Sequence, residues 1–225
     1  MRMNQILDYF LHLLYPPKCM FCGSLLKNED ARYCEACFEN LPDYDDADRT
    51  LFGFDQVIAT FFYEGPVREG LLRFKFRGLH TSGKLFGTWL AGTVKDKLRQ
   101  EYQIVSWVPC SFLRRWQRGY DQSELLAKAV ADQLGLECVR VLRKIRHNPA
   151  QSGLQGVAKR KANVIGAYAA CNFEKWKGKR ILLVDDILTT GATLSECSKT
   201  LLAAGADGLA CAVVAAASDD DNEIK

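Results

Sequence analysis

Short apolar runs and helical periodicities alternate along most of the chain. Apolar or β-branched runs predict strands, and apolar positions recurring every three or four residues predict helices. Most of the segment 180–184 is continuously apolar, which is typical of a strand buried on both faces of a parallel sheet. The alternation predicts an α/β fold, a parallel sheet flanked by helices. The predicted strands are 56–63, 104–109, 139–142, 167–171, 180–184 and 209–215, and the predicted helices are 66–76, 82–100, 122–134 and 192–204.

The two ends of the chain follow other patterns. Residues 3–14 carry apolar side chains at helical spacing before a pair of prolines, which predicts an amphipathic helix within 1–18. Its apolar face has two interpretations: packing against the body or a partner, and peripheral contact with a membrane, although the usual basic polar face is nearly absent. Residues 41–50 are acidic and patternless, which indicates a linker, and 218–225 is predicted to be a flexible tail.

Composition narrows the class of protein. The 225 residues are 48% apolar and 25% charged, which is ordinary for a globular chain and excludes a disordered one. No apolar run reaches the roughly 18 residues that a membrane-spanning helix needs. Residues 1–50 hold five basic and nine acidic side chains, whereas residues 51–225 hold 25 and 18. The body is therefore basic, which favours anionic ligands.

Nine cysteines are unevenly distributed. Four form two Cys-x-x-Cys pairs eleven residues apart, Cys19 with Cys22 and Cys34 with Cys37. Two such turns supply four thiolates in tetrahedral arrangement, which suits a structural zinc with no position left for water. The alternatives are another thiolate-bound metal and disulfides or free thiols. The five single cysteines are predicted to be small core residues, and the odd total without a signal peptide predicts a reducing cytoplasm.

The stretch 181–193 joins a buried strand to a helix. The strand delivers Asp185 and Asp186 to the edge where open α/β sheets bind ligands. Small and hydroxyl residues then lead into a helix N-terminus, whose amides and dipole favour a phosphate. Because carboxylates accept hydrogen bonds from sugar hydroxyls, the predicted ligand is a ribose 5-phosphate. The remaining residues of this predicted site are Thr189, Thr190, Gly191, Ala192 and Thr193.

This stretch resembles the phosphoribosyl pyrophosphate (PRPP) motif of the type I phosphoribosyltransferases, which consists of apolar residues, two acids, and a loop of small residues and threonines. The strand and loop at 104–111 resemble the pyrophosphate loop of that fold. The segment 143–163 resembles its flexible loop. The resemblance implies a type I phosphoribosyltransferase fold for residues 51–217.

A narrower resemblance covers nearly the whole chain. It rests on the PRPP motif, the cysteine spacing at 19–40 and the segments 74–78, 116–127 and 151–163. Together they are similar to the ComF family, phosphoribosyltransferase-like bacterial proteins linked to DNA uptake in natural competence. The resemblance implies a zinc knuckle at 19–40 in front of the phosphoribosyltransferase-like body.

The resemblance also implies a reaction, the Mg²⁺-dependent transfer of ribose 5-phosphate from PRPP to an acceptor that the sequence does not name. The leaving pyrophosphate needs cations, because negative charge builds there in the transition state. Lys75 and Asp121 are both available as general base, and the sequence favours neither. The candidates for the catalytic cations are Arg118, Arg146 and Arg160.

Two functions stay open, and a third, a purine-sensing regulator on the same fold, is disfavoured because the sequence shows no DNA-reading helix-turn-helix. One is an active phosphoribosyltransferase; the other is a non-catalytic factor of DNA uptake that keeps the PRPP fold and binds single-stranded DNA or a helicase partner. The basic stretch 143–161 and the aromatic residues Trp116 and Tyr120 suit a phosphate backbone and stacked bases. Cations that fit pyrophosphate also fit nucleic acid, so they do not decide. The predicted location is the cytoplasm, with a peripheral position at the inner membrane as the alternative.

Overall fold

The computed structural model describes residues 16–45, 49–76, 80–146 and 164–218. Within these ranges, five strands form a parallel sheet and two form a short antiparallel pair. The strands are β1 (Gln56–Phe62), β2 (Ile104–Trp107), β3 (Glu137–Cys138), β4 (Leu142–Lys144), β5 (Tyr168–Ala170), β6 (Arg180–Leu188) and β7 (Gly208–Ala216). The helices are α1 (Glu35–Glu39), α2 (Gly65–Phe76), α3 (His80–Lys97), α4 (Phe112–Arg118), α5 (Gln122–Leu134) and α6 (Ala192–Ala203), with a 3₁₀ turn at Phe173–Lys175.

The strands of the parallel sheet are ordered β1-β7-β6-β2-β3. β6 pairs with β7 on one side and with β2 on the other. The apolar run that predicted a buried strand, residues 181–184, is fully buried. A central strand needs apolar side chains on both faces, which explains why this run does not alternate. The predicted α/β fold with a parallel sheet is confirmed.

Helices cover both faces of the sheet. Alternate residues of each strand point to opposite faces, so Leu182 and Leu183 enter two separate cores. The core around Leu182 contains the helices α2, α3 and α5 together with the cysteine region. The core around Leu183 contains α6 and Trp176. The helices α5 and α6, which follow β2 and β6, therefore lie on opposite faces of the sheet.

The four long helices lie close to their predicted positions, and α5 has the predicted bounds. α4 is absent from the predictions because it has only seven residues. Its apolar side chains are exposed, so they do not form the periodic apolar face of a helix that packs on a core. β6 continues four residues beyond the predicted end, through both aspartates. The sheet partner β7 is equally long, so pairing extends β6 past its apolar run.

The predicted linker 41–50 is wrong in its first half. The Tyr44 amide donates to the Thr60 carbonyl at 3.0 Å, and the Phe62 amide donates to the Pro42 carbonyl at 2.7 Å. Tyr44 is buried and its ring packs on that of Phe62. This segment therefore runs along β1 and protects an edge of the sheet that would otherwise be open.

Several predictions fall at the edges of the described residues. Most of the predicted helix at 1–18, and of the tail at 218–225, lies outside them. In the ranges that are described, no helix combines the length and the apolar character needed to cross a bilayer. Of the five single cysteines, Cys197 and Cys211 are core residues as predicted. The other three, Cys110, Cys138 and Cys171, are half-buried.

Candidate functional site

The neighbouring strands β2 and β6 end at the same edge of the sheet, and the helices that follow them leave in opposite directions. α5 packs on one face after β2, and α6 packs on the other after β6. Ligands of open α/β sheets bind in the crevice at such a switch point. The residues that border it are 108–111, after β2, and 185–193, at the end of β6 and the start of α6.

The carboxylate pair, Asp185 and Asp186, is fixed by the strand that carries it. Asp185 Oδ1 accepts a hydrogen bond from Ser123 Oγ at 2.7 Å and one from the Asp186 amide at 2.9 Å. Burial raises the pKa of Asp185 to about 8, and the negative charge of Asp186 adds to the rise. Two adjacent carboxyl groups in a buried position favour partners that bring hydrogen-bond donors or positive charge. Sugar hydroxyls are such donors.

A cation from a distant part of the sequence lies beside the carboxylate pair. Lys75, in the last turn of α2, has its Nζ 3.7 Å from Asp186 Oδ2, and both side chains are more than half buried. The Lys75 carbonyl accepts a hydrogen bond from Gln122 Nε2 at 3.3 Å, which ties α2 to the start of α5. Lys75 therefore lies where it offsets the charge of Asp186.

The phosphate turn, residues 189–193, leads from β6 into α6. Gly191 occupies the N-cap position with φ 70°, a left-handed conformation that favours glycine. A Cβ at Gly191 would also collide with Leu51 Cδ2, so the segment after the predicted linker packs directly on the turn. The N-cap residue Gly191 has no side chain to cap α6, and the positive end of the helix dipole favours an anion there.

Arg49, which is absent from the predicted site, holds the phosphate turn. Its Nη2 donates to the Thr189 carbonyl at 2.7 Å, and its Nη1 donates to the Ala217 carbonyl after β7. The guanidinium thus joins the ends of two neighbouring strands at the carboxyl edge. Nothing in an acidic, patternless stretch singles out one arginine, so no sequence signal was available.

The loop after β2 is held from below by Asp121. Asp121 Oδ2 accepts a hydrogen bond from the Cys110 amide at 2.9 Å, and only 4% of the residue is exposed. Burial also raises the pKa of this carboxyl. Asp121 therefore supports the loop at 108–111. This is a different role from that of general base, for which the sequence made Asp121 a candidate.

The three predicted catalytic arginines are placed differently. Arg118, at the end of α4, donates from Nη1 to Gln122 Oε1 at 2.8 Å, and Gln122 in turn contacts the end of α2. Arg146 is exposed, and its Nη1 lies 3.5 Å from the Ile165 carbonyl. Arg160 lies outside the described residues. Of the two that the structure describes, Arg118 is the one that these contacts connect, through Gln122 and the end of α2, to the carboxylate pair.

The start of the predicted flexible loop is a strand. Lys144 lies in β4, with its Nζ 3.2 Å from Tyr168 Oη. Burial lowers the pKa of Lys144, and the nearby positive charge of Arg114 lowers it further, whereas the charge of Asp185 opposes the shift. The segment 143–163 was predicted as one flexible loop, but pairing with β5 removes its first two residues. Most of the remaining segment lies outside the described residues.

Exposed aromatic side chains and arginines share one surface beside the crevice, here named the α4 patch. Phe112 and Trp116 are 82% and 74% exposed on one side of α4, and Phe76 is 67% exposed under the Arg118 guanidinium. Two aromatic residues were predicted to stack on bases, and the prediction for Tyr120 is wrong. Tyr120 is 7% exposed, and its hydroxyl donates to the Phe74 carbonyl.

The four N-terminal cysteines converge. Their Sγ atoms all lie within 4.8 Å of one another, and those of Cys22 and Cys34 are 3.8 Å apart. A tetrahedron with metal–sulfur arms of about 2.3 Å has edges of about 3.8 Å, so the cluster fits one zinc ion. The Cys34 amide lies 3.4 Å from Cys19 Sγ and supports that sulfur. All nine cysteines lie in the described ranges, and none of them is in a disulfide.

Two domain families match the chain. The phosphoribosyl transferase domain matches residues 121–225, which include the carboxylate pair and the phosphate turn. The double zinc ribbon domain matches residues 10–47, which include the four cysteines. With the parallel sheet and its flanking helices, these matches define the class: a phosphoribosyltransferase-type α/β fold with an N-terminal zinc ribbon.

Curated relatives narrow the class to a family. Competence protein F of Haemophilus influenzae is 28% identical over 197 residues, which cover 85% of this chain and 81% of the relative. Competence protein ComFC of Streptococcus pneumoniae is 28% identical over 222 residues, which cover 84% of this chain and 95% of the relative. The predicted resemblance to the ComF family is confirmed by these similarities over most of the chain.

A solved structure is also similar. The allosteric regulatory enzyme of purine biosynthesis matches with a TM-score of 0.40 and 24% identity, over 60% of this chain. This chain spans 25% of the length of that structure.

Proposed function

We propose that this protein binds Mg-PRPP in the crevice between β2 and β6 and transfers its ribose 5-phosphate to an acceptor, as part of DNA uptake. The observation that carries the proposal is the carboxylate pair next to a phosphate turn at one switch point. Asp185 and Asp186 suit the ribose hydroxyls, and the start of α6 suits the 5-phosphate. The competence proteins to which the chain is similar support the biological setting.

In the proposed reaction, the bond between ribose C1 and the pyrophosphate oxygen breaks, its electron pair leaves with pyrophosphate, and C1 bonds to the acceptor. The sugar ring is cationic in the transition state, as in glycoside cleavage. Asp186 beside the ring favours that positive charge, and Arg118, with Arg146 and Arg160 as further candidates, stabilises the leaving group. Mg²⁺ bound with PRPP would neutralise pyrophosphate charge through mostly phosphate and water ligands.

The test of catalysis is incubation with Mg-PRPP and a pool of bases, nucleosides and amines, with pyrophosphate release as the readout. We expect release with one acceptor class and none in the Asp186→Asn variant, because the ribose hydroxyls lose an ionised acceptor. Asp132→Asn, an exposed change of the same kind on α5, serves as the matched control. PRPP binding without release for any acceptor would contradict the enzymatic function and favour the binding function below.

The α4 patch supports a second candidate function, the binding of single-stranded DNA. Exposed aromatic rings next to arginines stack on bases and pair with phosphates, at about 1–3 kcal/mol per stacked base. We expect Trp116→Ala to weaken binding of an oligothymidine, and Phe52→Ala, a change of another exposed aromatic near α6, to leave it unchanged. Binding should fall steeply as salt rises. Absent or salt-insensitive binding would contradict this function in its direct form.

Other parts of the proposal concern cofactor and partners. The cysteine cluster supports one structural zinc per chain, which mass spectrometry under native conditions detects as a single bound ion; a folded protein without it would contradict the assignment. A helicase of DNA uptake is the proposed macromolecular partner. Peripheral membrane contact through residues 3–14 stays a prediction, because those residues lie outside the described ranges.

A further inference from the structure

One short helix, α2, connects the zinc knuckle (residues 19–40) with the carboxylate pair. Near its end, Arg73 donates from Nε to the Phe21 carbonyl at 2.8 Å and from Nη2 to the Cys22 carbonyl at 2.9 Å. Gly23 follows with φ 79°, and a Cβ there would lie 2.5 Å from Arg73 Nη1. The knuckle is therefore shaped around the guanidinium of Arg73.

A second contact fixes the knuckle against the same helix. A Cβ at Gly70 would lie 2.7 Å from the Phe21 ring, so the missing side chain makes room for that ring. Phe21 is fully buried and stacks on Trp89 of α3, with ring centroids 6.0 Å apart. The knuckle is thus packed into the core that supports α2, and a change in its shape reaches the helix through Phe21 and Arg73.

The same turn of α2 meets the candidate sugar site. Lys75 follows Arg73 by two residues, which places the two side chains about 200° apart around the helix. Arg73 faces the knuckle, whereas Lys75 Nζ lies 3.7 Å from Asp186 Oδ2. A rotation or shift of this turn that releases one contact therefore displaces the other.

The charge of Lys75 matters at this position. Asp185 and Asp186 are adjacent carboxyl groups, and burial together with their mutual repulsion raises the pKa of Asp185. An incoming sugar phosphate adds further negative charge. An ammonium beside Asp186 offsets this repulsion and holds the carboxylate in place while leaving its second oxygen for a hydroxyl.

We propose that Lys75 is a positioning residue of the PRPP site, and that the metal-loaded knuckle sets its place through Arg73 and α2. Loss of the metal would then weaken PRPP binding without touching any group that binds the ligand. This inference rests on the proposed PRPP binding, and its test includes a measurement that needs no PRPP.

The first measurement is Mg-PRPP affinity by calorimetry at saturating zinc, with zinc content from native mass spectrometry. We expect Arg73→Gln and Lys75→Met to weaken binding by about tenfold, and Lys75→Arg to restore most of the affinity. Arg68→Gln is the matched control, since Arg68 lies on the same helix with its side chain 54% exposed beside Glu69. Affinity in Arg73→Gln equal to that of the control would overturn the proposal.

Chelation tests the route. Removing zinc from the wild type should weaken PRPP binding by about the same factor as Arg73→Gln does. In the Arg73→Gln variant, removing zinc should weaken binding little further, because both changes break the same connection between the knuckle and α2. Chelation that weakens wild type and variant by equal factors would overturn the route through Arg73.

The second measurement is hydrogen exchange of the backbone amides, with and without zinc and in the absence of PRPP. We expect zinc removal and Arg73→Gln to speed exchange at 71–76 and 185–188 but not in α6. Unchanged exchange at these segments, or a uniform rise along the chain, would overturn the coupling. A wild type that shows the expected exchange but binds no PRPP would instead refute the proposed function alone.

Discussion

The two ends of the candidate site are built differently. The sugar end, residues 185–193, is held by sheet pairing, by Ser123 and by Arg49, which donates to the carbonyls of Thr189 and of Ala217 after β7. The cationic end, α4 with Arg146, carries exposed aromatic rings and arginines that are exposed or half-buried. Buried groups are fixed before a ligand arrives, whereas exposed charges are screened by water and salt. The sugar end should therefore determine whether PRPP binds, and the cationic end should adjust the rate and the salt dependence.

The largest expected effect at the sugar end comes from Arg49→Met. The variant leaves the carbonyls of Thr189 and Ala217 without their charged donor, which costs about 2–3 kcal/mol of unfolding free energy and loosens the phosphate turn. Thermal denaturation and PRPP calorimetry measure both effects. Arg99→Met, an exposed arginine, is the control. If the two variants denature at the same temperature, the sugar end is not held as described.

Asp185→Asn tests burial at the sugar end through pH. The folded-state pKa of Asp185 is raised from 3.8 to about 8, so the folded protein retains a proton that the unfolded chain loses. The stability that this proton contributes is present at low pH and is lost as pH rises through this window. The variant keeps the accepting oxygen and carries no charge. It should therefore gain on the wild type with rising pH, by up to about 1.4 kcal/mol per pH unit within this window.

Melting temperatures between pH 5 and pH 8.5 provide this measurement. Asp132→Asn, an exposed change on α5, is the control and should show a flat difference. A flat difference for Asp185→Asn as well would mean that its carboxyl is ordinary in the folded protein, and the contrast between the two ends would lose its electrostatic basis.

Gly191→Ala probes the shape of the phosphate turn. The left-handed backbone costs an alanine about 1–2 kcal/mol, and the new methyl group collides with Leu51. Gly92→Ala is the matched control, because Gly92 lies in open space on α3 and alanine there should stabilise the helix by about 0.5–1 kcal/mol. Chemical denaturation compares them. Two changes of the same sign would contradict the strained turn.

The smallest effects on stability belong to the cationic end. Arg118→Gln and Arg146→Gln should each change the unfolding free energy by less than about 1 kcal/mol, since Arg146 is exposed and the half-buried Arg118 donates one hydrogen bond to Gln122. Their effect on PRPP affinity should shrink as salt is raised from 50 to about 500 mM. If the effect of Arg118→Gln on PRPP affinity did not depend on salt, Arg118 would act as a buried group. That result would contradict the difference between the two ends of the site.

The sequence predicts groups that are consecutive along the chain better than groups that the fold brings together from distant segments. Asp185, Asp186 and the phosphate turn are consecutive, so strand, acids, turn and helix start can be read together. The same holds for the cysteine pairs, whose spacing is local. Lys75, Arg49 and Asp121 act across the fold, and their partners became known only once the sheet brought distant segments to one edge. α4 is also not predicted, because its apolar residues face the solvent. Tyr120 shows that an aromatic residue in a basic stretch can be a core residue.

The central claim is that the sugar end is a PRPP site, and calorimetry of Mg-PRPP with the wild type and Asp186→Asn at pH 8 tests it most directly. The account predicts one binding site per chain in the wild type and a loss of affinity of at least about a hundredfold in the variant, which is about 2.7 kcal/mol. Equal binding by the two proteins, or no binding by a folded, zinc-loaded wild type, would contradict it.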